Sequence, residues 1–574
     1  MAGQDSMRRP ALGRDRLLQA VLLITGLGLG AKLLWLGRRI THFDEGRVGY
    51  WALRYFETGQ IEYRFIVHGP FVQYLDAVAF ALLGPSDFSL RLPVALIGGL
   101  LPLAVLLFRD HLGEVELVVA AAFLAFNPVL LYYSRFLRST IIVAAVMFVA
   151  FGCLVRFYRA RQVRYVYLAV GLTAIGFAAK ESAAVYILTW LGATALLIDH
   201  ELFRPRTDDT GLDRLAAAWQ WARSRVIDDR RRLLRYVGHG LGLVVVFVVI
   251  AGFFYAPRSG TAGGVGLWRA LGNPALFPEL IEVTRGDVVD GYQYWFGGTT
   301  RKETLASTYV EFLGRFLETV LADAGPLVAF AVIGFLVERY ATVEPRNLVM
   351  FTSYWGFVSI LGYPLGTDIY GAWIVVNALV PLTIPAGVGV ALVIRRGLES
   401  LADDDRISVG IAALLLVLVV GQVGATIVSG VYLNPTDDDN PLVQYAQPAD
   451  NFKPTLERIE RIAAANNGVD ILYFGEALTV ENPSGGGIPP PCADLSNTLP
   501  LQWYFERYDA VAECEVSTAN LGEDPPPVVI TRPVERDDLA PHLDGYTRRN
   551  YLLRTFDFDI DIYYDPDALP SAGS

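Results

Sequence analysis

Lysine, cysteine and charged side chains in general are scarce in this chain of 574 residues. Charged residues make up 19% of it, apolar residues make up 53%, and the mean hydropathy is +0.37. Soluble domains carry about 25% charged residues, so this composition excludes an ordinary soluble protein. The three cysteines, Cys153, Cys492 and Cys514, have no metal-ligand spacing, which excludes a zinc module. With a net charge of −11, we expect no nucleic-acid partner.

Long apolar runs take the place of those missing charges. About eleven stretches are long enough to cross the hydrocarbon core of a bilayer as helices. Their approximate bounds are 16–37, 90–108, 115–133, 138–157, 165–179, 182–198, 236–256, 315–337, 347–363, 371–394 and 407–431. We therefore expect a polytopic α-helical protein of the cell membrane.

Arginine placement predicts the orientation of these spans, because basic loops stay on the cytoplasmic side. Arg8, Arg9, Arg14 and Arg16 precede the first span, and further arginines crowd the loops at 156–164 and 204–235. All three segments are cytoplasmic if the N-terminus is cytoplasmic. Eleven crossings then place everything after about residue 432 outside the cell.

The C-terminal segment differs sharply in charge from the rest. From Val431 to Ser574 there are 25 acidic and 9 basic side chains, a net charge of −16, which leaves +5 for the preceding residues. Residues 453–467 have helical periodicity, whereas 470–474 and 527–530 are typical of strands. We expect two domains: a transmembrane domain over 1–431, and an acidic extracytoplasmic α/β domain over 432–574.

Two further features of the composition leave alternatives open. Cys492 and Cys514 can form a disulfide in an oxidising compartment, or they can remain thiols. The chain has only four lysines, which suits an acidic protein in high salt but also fits a GC-rich genome.

An acidic pair, Asp44 and Glu45, follows directly on the first apolar run. Desolvating a carboxylate costs several kcal/mol. Two acids at the end of a membrane helix therefore indicate an interacting group of opposite charge or a functional role. Residues 44–58 form an amphipathic pattern that ends at Gly59, which predicts a helix lying on the membrane surface. Asp44 is a candidate catalytic residue, and the alternative is a helix-capping aspartate.

A second interfacial or re-entrant helix is predicted from His68-Gly69-Pro70 to about Gly84, because this apolar stretch is too short to span comfortably. His68 can be a ligand, a hydrogen-bond donor to phosphate or a packed interface residue, and a lone histidine favours the last of these.

Three cations fall on the predicted outer side, against the positive-inside rule. Arg135 and Arg138 lie in the turn between spans three and four, and Lys180 follows span five. Arginine guanidinium groups bind phosphate oxygens in pairs, so these residues are candidates for binding a lipid phosphate. Lys180 can instead extend to the interface or pair with Glu181. Asp368, Tyr370, Trp373 and Asn377 indicate a cavity near the outer end of span ten.

Taken in order along the chain, these elements resemble the GT-C membrane glycosyltransferases. The resemblance rests on Asp44-Glu45, His68-Gly69-Pro70-Phe71, Tyr132-Tyr133-Ser134-Arg135 and Lys180-Glu181. Within that superfamily, the sequence is similar to the protein O-mannosyltransferases and the lipid A aminoarabinose transferases. It is most similar to an archaeal group named for flippase-associated activity in protein glycosylation, which carries tail elements like those at 434–436, 442–446 and 499–504.

The resemblance implies a polyprenyl (dolichyl) phosphate-linked sugar as donor, a role in protein or lipid glycosylation, and inverting transfer on the extracytoplasmic face. Asp44 would be the general base, supported by Glu45. Arg135, Arg138, Lys180 and, less strongly, His68 would bind the lipid phosphate. No cofactor is certain, and a divalent cation held by Asp44, Glu45 and His42 stays an open alternative. The bilayer and other glycosylation-pathway membrane proteins are the implied partners.

One departure from the pattern supports a different function. Relatives often carry an acid shortly after the second arginine, whereas this chain has Arg138-Ser139-Thr140. The alternative is a non-catalytic, flippase-associated protein that aids translocation of a lipid-linked saccharide. An ion-coupled transporter is disfavoured, because acids within the predicted spans and internal repeats are scarce.

Overall fold

The computed structural model describes most of the chain. It covers residues 14–203, 229–258, 264–296, 305–342, 344–366, 370–480, 488–522, 525–554 and 558–570, together with 213, 216–217, 219–220 and 223–224. Arg8, Arg9, Arg204 and Arg206, which bear on orientation, and Asp368 lie outside the described residues. The orientation of the termini stays a prediction.

Every apolar run identified in the sequence forms helix. The helices up to the arginine-rich linker are α1 Arg14–Leu33, α2 Phe43–Thr58, α3 Pro70–Leu83, α4 Asp87–Leu100, α5 Glu114–Phe126, α6 Pro128–Tyr133, α7 Ser139–Ala160, α8 Arg164–Ala179 and α9 Ala183–Phe203. Those that follow it, up to residue 433, are α10 Arg230–Tyr255, α11 Leu267–Gly272, α12 Phe277–Phe296, α13 Leu305–Leu336, α14 Asn347–Gly366, α15 Val376–Ala402 and α16 Arg406–Thr426. Short 3₁₀ or π segments extend several of them, including Leu101–Phe108, Ala372–Val375 and Ile427–Leu433.

By length and composition, eight of the described helices can cross a membrane, and three more apolar helices of 10–17 residues accompany them. These numbers support a multi-pass membrane protein. The predicted number of about eleven transmembrane spans stays a prediction. The predicted span 115–133 is divided where Asn127 ends α5. The side-chain oxygen of Asn127 accepts hydrogen bonds from the N–H groups of Val129 (3.1 Å) and Leu130 (3.2 Å), and Pro128 begins α6.

The chain divides into two compact units. The first comprises Met1–Leu34, Glu62–Phe71 and Val94–Leu433, and the second comprises Trp35–Ile61, Val72–Pro93 and Asn434–Ser574. The loop between the first two predicted spans, which the sequence predicts to be the first outer loop, is thus shared between the units, and most of it belongs with the C-terminal segment. A boundary near residue 431 does not account for this sharing.

Helix α15 lies at the centre of the first unit. An 18-residue apolar window within Ala372–Ala402 is 94% buried. Helix α15 packs against α5, α13 and α14. Gly334 of α13 and Gly389 of α15 let the two backbones approach closely, since a methyl group on either would collide with backbone of the other helix. Small residues serve this purpose in membrane helix pairs. By contrast, the windows of α10 and α16 are 0% buried, as expected for lipid-facing helices.

The second unit contains a mixed five-stranded sheet. Its strands are β1 Ile471–Phe474, β2 Ala512–Glu515, β3 Val528–Thr531, β4 Thr547–Arg554 and β5 Phe558–Tyr564, in the order β2-β1-β3-β5-β4. β1 pairs in parallel with β2 and β3, whereas β5 pairs antiparallel with β3 and β4. The helices of this part are α17 Lys453–Ala465, α18 Leu495–Thr498, α19 Leu501–Arg507 and α20 Arg536–Leu539. The predicted α/β architecture is confirmed.

A disulfide joins Cys492 to Cys514 of β2, and their Cα atoms lie 6.0 Å apart. Of the two alternatives that the sequence leaves open, the structure has the disulfide. Cys153 is free and buried in α7.

Candidate functional site

Helix α2 begins at His42, which is its N-cap. The Nδ1 atom of His42 accepts a hydrogen bond from the N–H of Asp44 (2.9 Å), and its Nε2 atom donates to the carbonyl oxygen of Tyr445 (2.9 Å). These two bonds require the neutral ring with its proton on Nε2. The capping alternative for Asp44 is therefore wrong, because Asp44 is already the second residue of the helix.

The Asp44 carboxylate lies in the first turn of α2, where the helix dipole favours a negative charge. Its side chain is 13% exposed, and Oδ2 lies 4.0 Å from Nδ1 of His42. Gly59 ends the helix with a φ of 67°, as the sequence predicts. Helix α2 is thus a short, well-capped element with a partly exposed acid at its start.

Glu45 is held differently from its neighbour. Its carboxylate accepts paired bonds from Arg91 (2.9 and 2.8 Å) and from Nη2 of Arg39 (3.0 and 2.9 Å), as well as one from the N–H of His42 (2.9 Å). Burial raises the pKa of Glu45, but the charges of Arg39 and Arg91 outweigh this and hold it well below its usual range. Glu45 is buried and fully engaged, which suits a positioning residue better than a cation ligand.

Asp87, at the start of α4, forms the second charged cluster of this unit. It is paired with Lys453 and Arg507, and its oxygens accept hydrogen bonds from the Trp503 indole (2.9 Å) and the Tyr504 hydroxyl (3.2 Å). Trp503 and Tyr504 belong to residues 499–504, one of the tail elements on which the resemblance to the archaeal flippase-associated group rests. This cluster fixes the tail helix α19 against the first outer loop within the second unit.

His68 is a packed residue of the first unit. Its Nε2 donates to the carbonyl oxygen of Leu137 (2.8 Å), and its Nδ1 accepts from the hydroxyl of Ser139 (2.9 Å). The ring is 3% exposed. His68 therefore fixes the turn that carries Arg138, and both ring nitrogens are engaged by protein groups.

The two arginines that the sequence places outside, Arg135 and Arg138, lie in different settings. Nη1 of Arg135 donates to the carbonyl oxygens of Ala31 (3.2 Å) and Lys32 (3.0 Å) at the end of α1, and its guanidinium lies 4.8 Å from the ring of Tyr432. The guanidinium of Arg138 stacks on Trp373 at 3.7 Å from the ring centroid, and the residue is 3% exposed. These contacts fix both arginine side chains within the first unit.

Lys180 ends α8 and is partly buried. The adjacent Glu181 accepts hydrogen bonds from the hydroxyls of Tyr63 (2.6 Å) and Tyr255 (3.2 Å). Burial and the charge of Glu181 raise the pKa of Tyr63, so its hydroxyl stays protonated and donates. These bonds fix the turn that begins at Lys180.

Of the predicted site residues, Asp44 and Glu45 belong to the second unit, whereas His68, Arg135, Arg138 and Lys180 belong to the first. The structure brings His68 and Arg138 to one turn, and it brings His42, Asp44 and Glu45 to one helix start. It also adds Arg39, Arg91 and Asp87, which the sequence reasoning missed. Arg91 lies inside the predicted span 90–108, and a charge in a span requires a partner.

A cation held by His42, Asp44 and Glu45 receives little support from these contacts, because both ring nitrogens of His42 and both oxygens of Glu45 already bind protein groups. Among the described residues, the acidic group with ligand atoms within 4.8 Å of one another is Asp437, Asp438 and Asp439, and all three are exposed. A cation requirement stays a prediction.

Comparison with known proteins identifies two family models. Residues 67–210 match the model described as dolichyl-phosphate-mannose-protein mannosyltransferase, and residues 452–565 match that of the Agl23 flippase-associated protein C-terminal domain. The first range contains His68, Arg135, Arg138 and Lys180. No curated protein matches the chain by sequence.

Solved structures with a similar fold cover nearly the whole chain. ArnT from Cupriavidus metallidurans, solved in the apo state and bound to undecaprenyl phosphate, is 15% identical with a TM-score of 0.57, over 96% of this chain and 99% of its own. The oligosaccharyltransferase of Archaeoglobus fulgidus is 12% identical with a TM-score of 0.50, over 95% of this chain and 75% of its own. At these identities the similarity establishes the fold.

Proposed function

We propose that this chain, which has the GT-C fold of membrane glycosyltransferases, is a glycosyltransferase. It transfers a sugar from a polyprenyl (dolichyl) phosphate carrier on the extracytoplasmic face of the membrane. The observation that carries this proposal is the match of residues 67–210 to the dolichyl-phosphate-mannose-protein mannosyltransferases. A protein of the same fold, ArnT, binds undecaprenyl phosphate.

In this proposal Asp44 is the general base. It takes the proton of an acceptor hydroxyl while the hydroxyl oxygen attacks the anomeric carbon of the sugar. The bond between that carbon and the phosphate oxygen breaks, the configuration inverts, and the polyprenyl phosphate leaves with the bonding electrons. A positioned base and cations at the leaving phosphate supply the catalysis that such a step needs.

The remaining candidates serve the phosphate or the base. Arg138, Arg135 and Lys180 offset the charge that develops on the departing phosphate. His68 acts on Arg138 through the turn that it fixes. Glu45, held by Arg39 and Arg91, keeps the first turn of α2 in place and so positions Asp44. The disulfide in the C-terminal part supports the predicted extracytoplasmic location, since such bonds persist in oxidising compartments.

The direct test is Asp44→Asn in the full chain. We expect transfer of sugar from a labelled polyprenyl-phosphate donor to fall by at least about a hundredfold, the range lost with a general base, while the protein still inserts in the membrane. Glu57→Gln is the matched control, because Glu57 is an exposed acid of the same helix. Unchanged transfer by Asp44→Asn would refute the proposal.

A second candidate function is favoured by the C-terminal match to a flippase-associated domain and by the absence of an acid after Arg138. In that case the protein aids passage of the lipid-linked saccharide across the bilayer and does not transfer the sugar. Cells that lack the protein would accumulate donor in the cytoplasmic leaflet, yet would transfer sugar normally from donor supplied on the outside. Failure to use that supplied donor would contradict this function and support the enzyme.

A further inference from the structure

The sheet of the second unit has the strand order of ligand-binding α/β sheets. β1 lies between β2 and β3 and is parallel to both, so the second and third strands lie on opposite sides of the first. In open α/β sheets, ligands bind outside the carboxyl ends of the strands where the strand order reverses in this way. The hydroxyl of Thr531 donates to the carbonyl oxygen of Phe474 (3.0 Å) and joins the ends of β1 and β3. This carboxyl edge of the sheet is therefore a candidate ligand site.

Two arginines meet on one aromatic ring at the carboxyl edge. Arg532 is the first residue after β3, and Arg554 ends β4, where it pairs with Phe558, the first residue of β5. Because Thr531 lies opposite Asp561 of β5, Phe558 extends beyond the end of β3. The guanidinium carbons of Arg532 and Arg554 lie 4.0 and 4.3 Å from the centroid of the Phe558 ring. The two charges are therefore no further apart than the sum of these distances.

A second set of contacts brings Arg554 to the end of β1. Its Nη2 atom donates to the side-chain oxygen of Asn497 (2.7 Å). The side-chain nitrogen of Asn497 in turn donates to the carbonyl oxygen of Ala477 (2.7 Å), in the loop that follows β1, and to Asp494 (3.1 Å). The chain segments that leave β1, β3 and β4 thus converge on the two arginine side chains.

Both guanidinium groups keep bonding capacity. Within the described part of the chain, the buried Nη1 atom of Arg532 and the buried Nε atom of Arg554 have no hydrogen-bond partner. The neighbouring acid Asp559 lies 3.7 Å from Nη2 of Arg532, which is longer than a hydrogen bond, and its side chain is 41% exposed. Burial lowers the pKa of Arg554; the charge of Asp494 opposes this shift, and that of Arg532 adds to it. Both arginine side chains are partly exposed, so a ligand can reach them.

The chemistry of the pair suits a phosphate group. Guanidinium groups bind phosphate through paired, charge-assisted hydrogen bonds. A phosphate monoester carries about two negative charges at pH 7, which matches two guanidinium groups. Its oxygens point in tetrahedral directions, so one phosphate can accept hydrogen bonds from two groups that approach from different sides. A carboxylate carries a single charge, and its oxygens lie in one plane.

We propose that Arg532 and Arg554 bind the phosphate group of a ligand at the carboxyl edge of the sheet, and that Phe558 holds both guanidinium groups in place for it. None of the candidate catalytic residues takes part in this site. The inference therefore does not depend on the proposed transfer of sugar.

The test is isothermal titration calorimetry of the full-length protein in non-ionic detergent, with inorganic phosphate as the first probe. We expect the wild-type protein to bind it with a Kd on the order of 1 mM. Arg532→Gln and Arg554→Gln should each weaken this binding by at least about tenfold, because each removes charge-assisted hydrogen bonds. Asp559→Asn should strengthen it about two- to fivefold, because it removes a competing negative charge.

Two further probes identify the source of the phosphate. Mannose 1-phosphate is a soluble ester, and dolichyl phosphate in the same micelles is a lipid headgroup. The probe that occupies this site should lose one binding site per chain in Arg532→Gln. Arg138→Lys, which weakens the proposed lipid-phosphate site, should leave the binding of inorganic phosphate at the carboxyl edge unchanged, so a failure of one proposal can be told from a failure of the other.

Arg549→Gln is the matched control, because Arg549 is an exposed arginine of the same strand as Arg554, and it should bind phosphate as the wild type does. Arg532→Lys keeps the positive charge, and it should bind more weakly than the wild type yet more tightly than Arg532→Gln. Equal binding by wild type, Arg532→Gln and Arg554→Gln overturns the inference. Acetate that binds as tightly as phosphate overturns the assignment to a phosphate group.

Discussion

Two groups of charged side chains, one in each compact unit, are held in contrasting ways. In the second unit, acids and bases pair directly: Glu45 with Arg39 and Arg91, and Asp87 with Lys453 and Arg507. In the first unit, the contacts described for Arg135 and Arg138 are with backbone carbonyls and aromatic rings. Ion pairs also occur in the first unit, where Arg346 binds Glu116 and Glu338. The contrast therefore concerns two groups of residues: the ion pairs of Glu45 and Asp87 hold the second unit together, whereas Arg135 and Arg138 are proposed to bind a ligand.

The sharpest way to break this comparison is to remove Glu45. Glu45→Gln leaves Arg39 and Arg91 buried without their acid, and breaking a buried ion pair costs about 3–5 kcal/mol. The free energy of unfolding in detergent micelles, measured with denaturant, should fall by that amount. The exposed pair of Glu57 is worth less than about 1 kcal/mol, so Glu57→Gln serves as the control. A loss below about 1 kcal/mol for Glu45→Gln would contradict the structural role.

The same residue predicts a pH dependence with a definite sign. Because the folded-state pKa of Glu45 is depressed, its contribution is fully present above the unfolded pKa of about 4.3 and is lost as the pH falls through the folded pKa. The stability difference between wild type and Glu45→Gln should therefore be constant from pH 5 to 8. It should shrink below about pH 4.

A smaller effect is expected from the disulfide of the second unit. Cys492 and Cys514 are 22 residues apart, and closing a loop of this size stabilises a fold by about 3 kcal/mol. Replacing both with serine should lower the free energy of unfolding by that amount. Unfolding would be monitored by the near-UV circular dichroism of the aromatic side chains. Cys153→Ala removes a thiol that forms no disulfide and is the control. Equal effects of the two changes would contradict the prediction.

The smallest change in stability is expected in the first unit, from Arg138→Lys. Lysine keeps the charge but loses the flat stacking on Trp373, which is worth about 1–2 kcal/mol, and the paired bonding to phosphate oxygens. We expect affinity for dolichyl phosphate to fall about tenfold, measured in nanodiscs, with stability lower by no more than about 2 kcal/mol. Arg315→Lys, at an exposed side chain, is the control. A stability loss comparable to that of Glu45→Gln would show that Arg138 has the same structural role as Glu45.

Local patterns in the sequence predicted the elements that carry the candidate site. Apolar periodicity predicted the start of α2 to within one residue, and Gly59 marked its end. Pro70 marked the start of α3. The strands β1 and β3 and the helix α17 also lie where the sequence predicted them. Each of these features depends on residues within one or two turns of one another.

Contacts between distant residues were not predictable in this way. His42 rather than Asp44 caps α2, because the distant carbonyl of Tyr445 fixes the ring in the orientation that caps the helix. Arg91 lies inside a predicted span, and the general cost of a charge in a membrane marks it as unusual. No local pattern identifies Glu45 as its partner.

The bond between Asp87 and Trp503 joins residues 416 positions apart. During synthesis the ribosome makes Asp87 early and Trp503 near the end, so nearly every span must be inserted before this contact can form. Until then the first outer loop lacks the tail groups that hold it. We expect chains truncated before residue 500 to reach the membrane yet be degraded by quality control, however intact their apolar helices are.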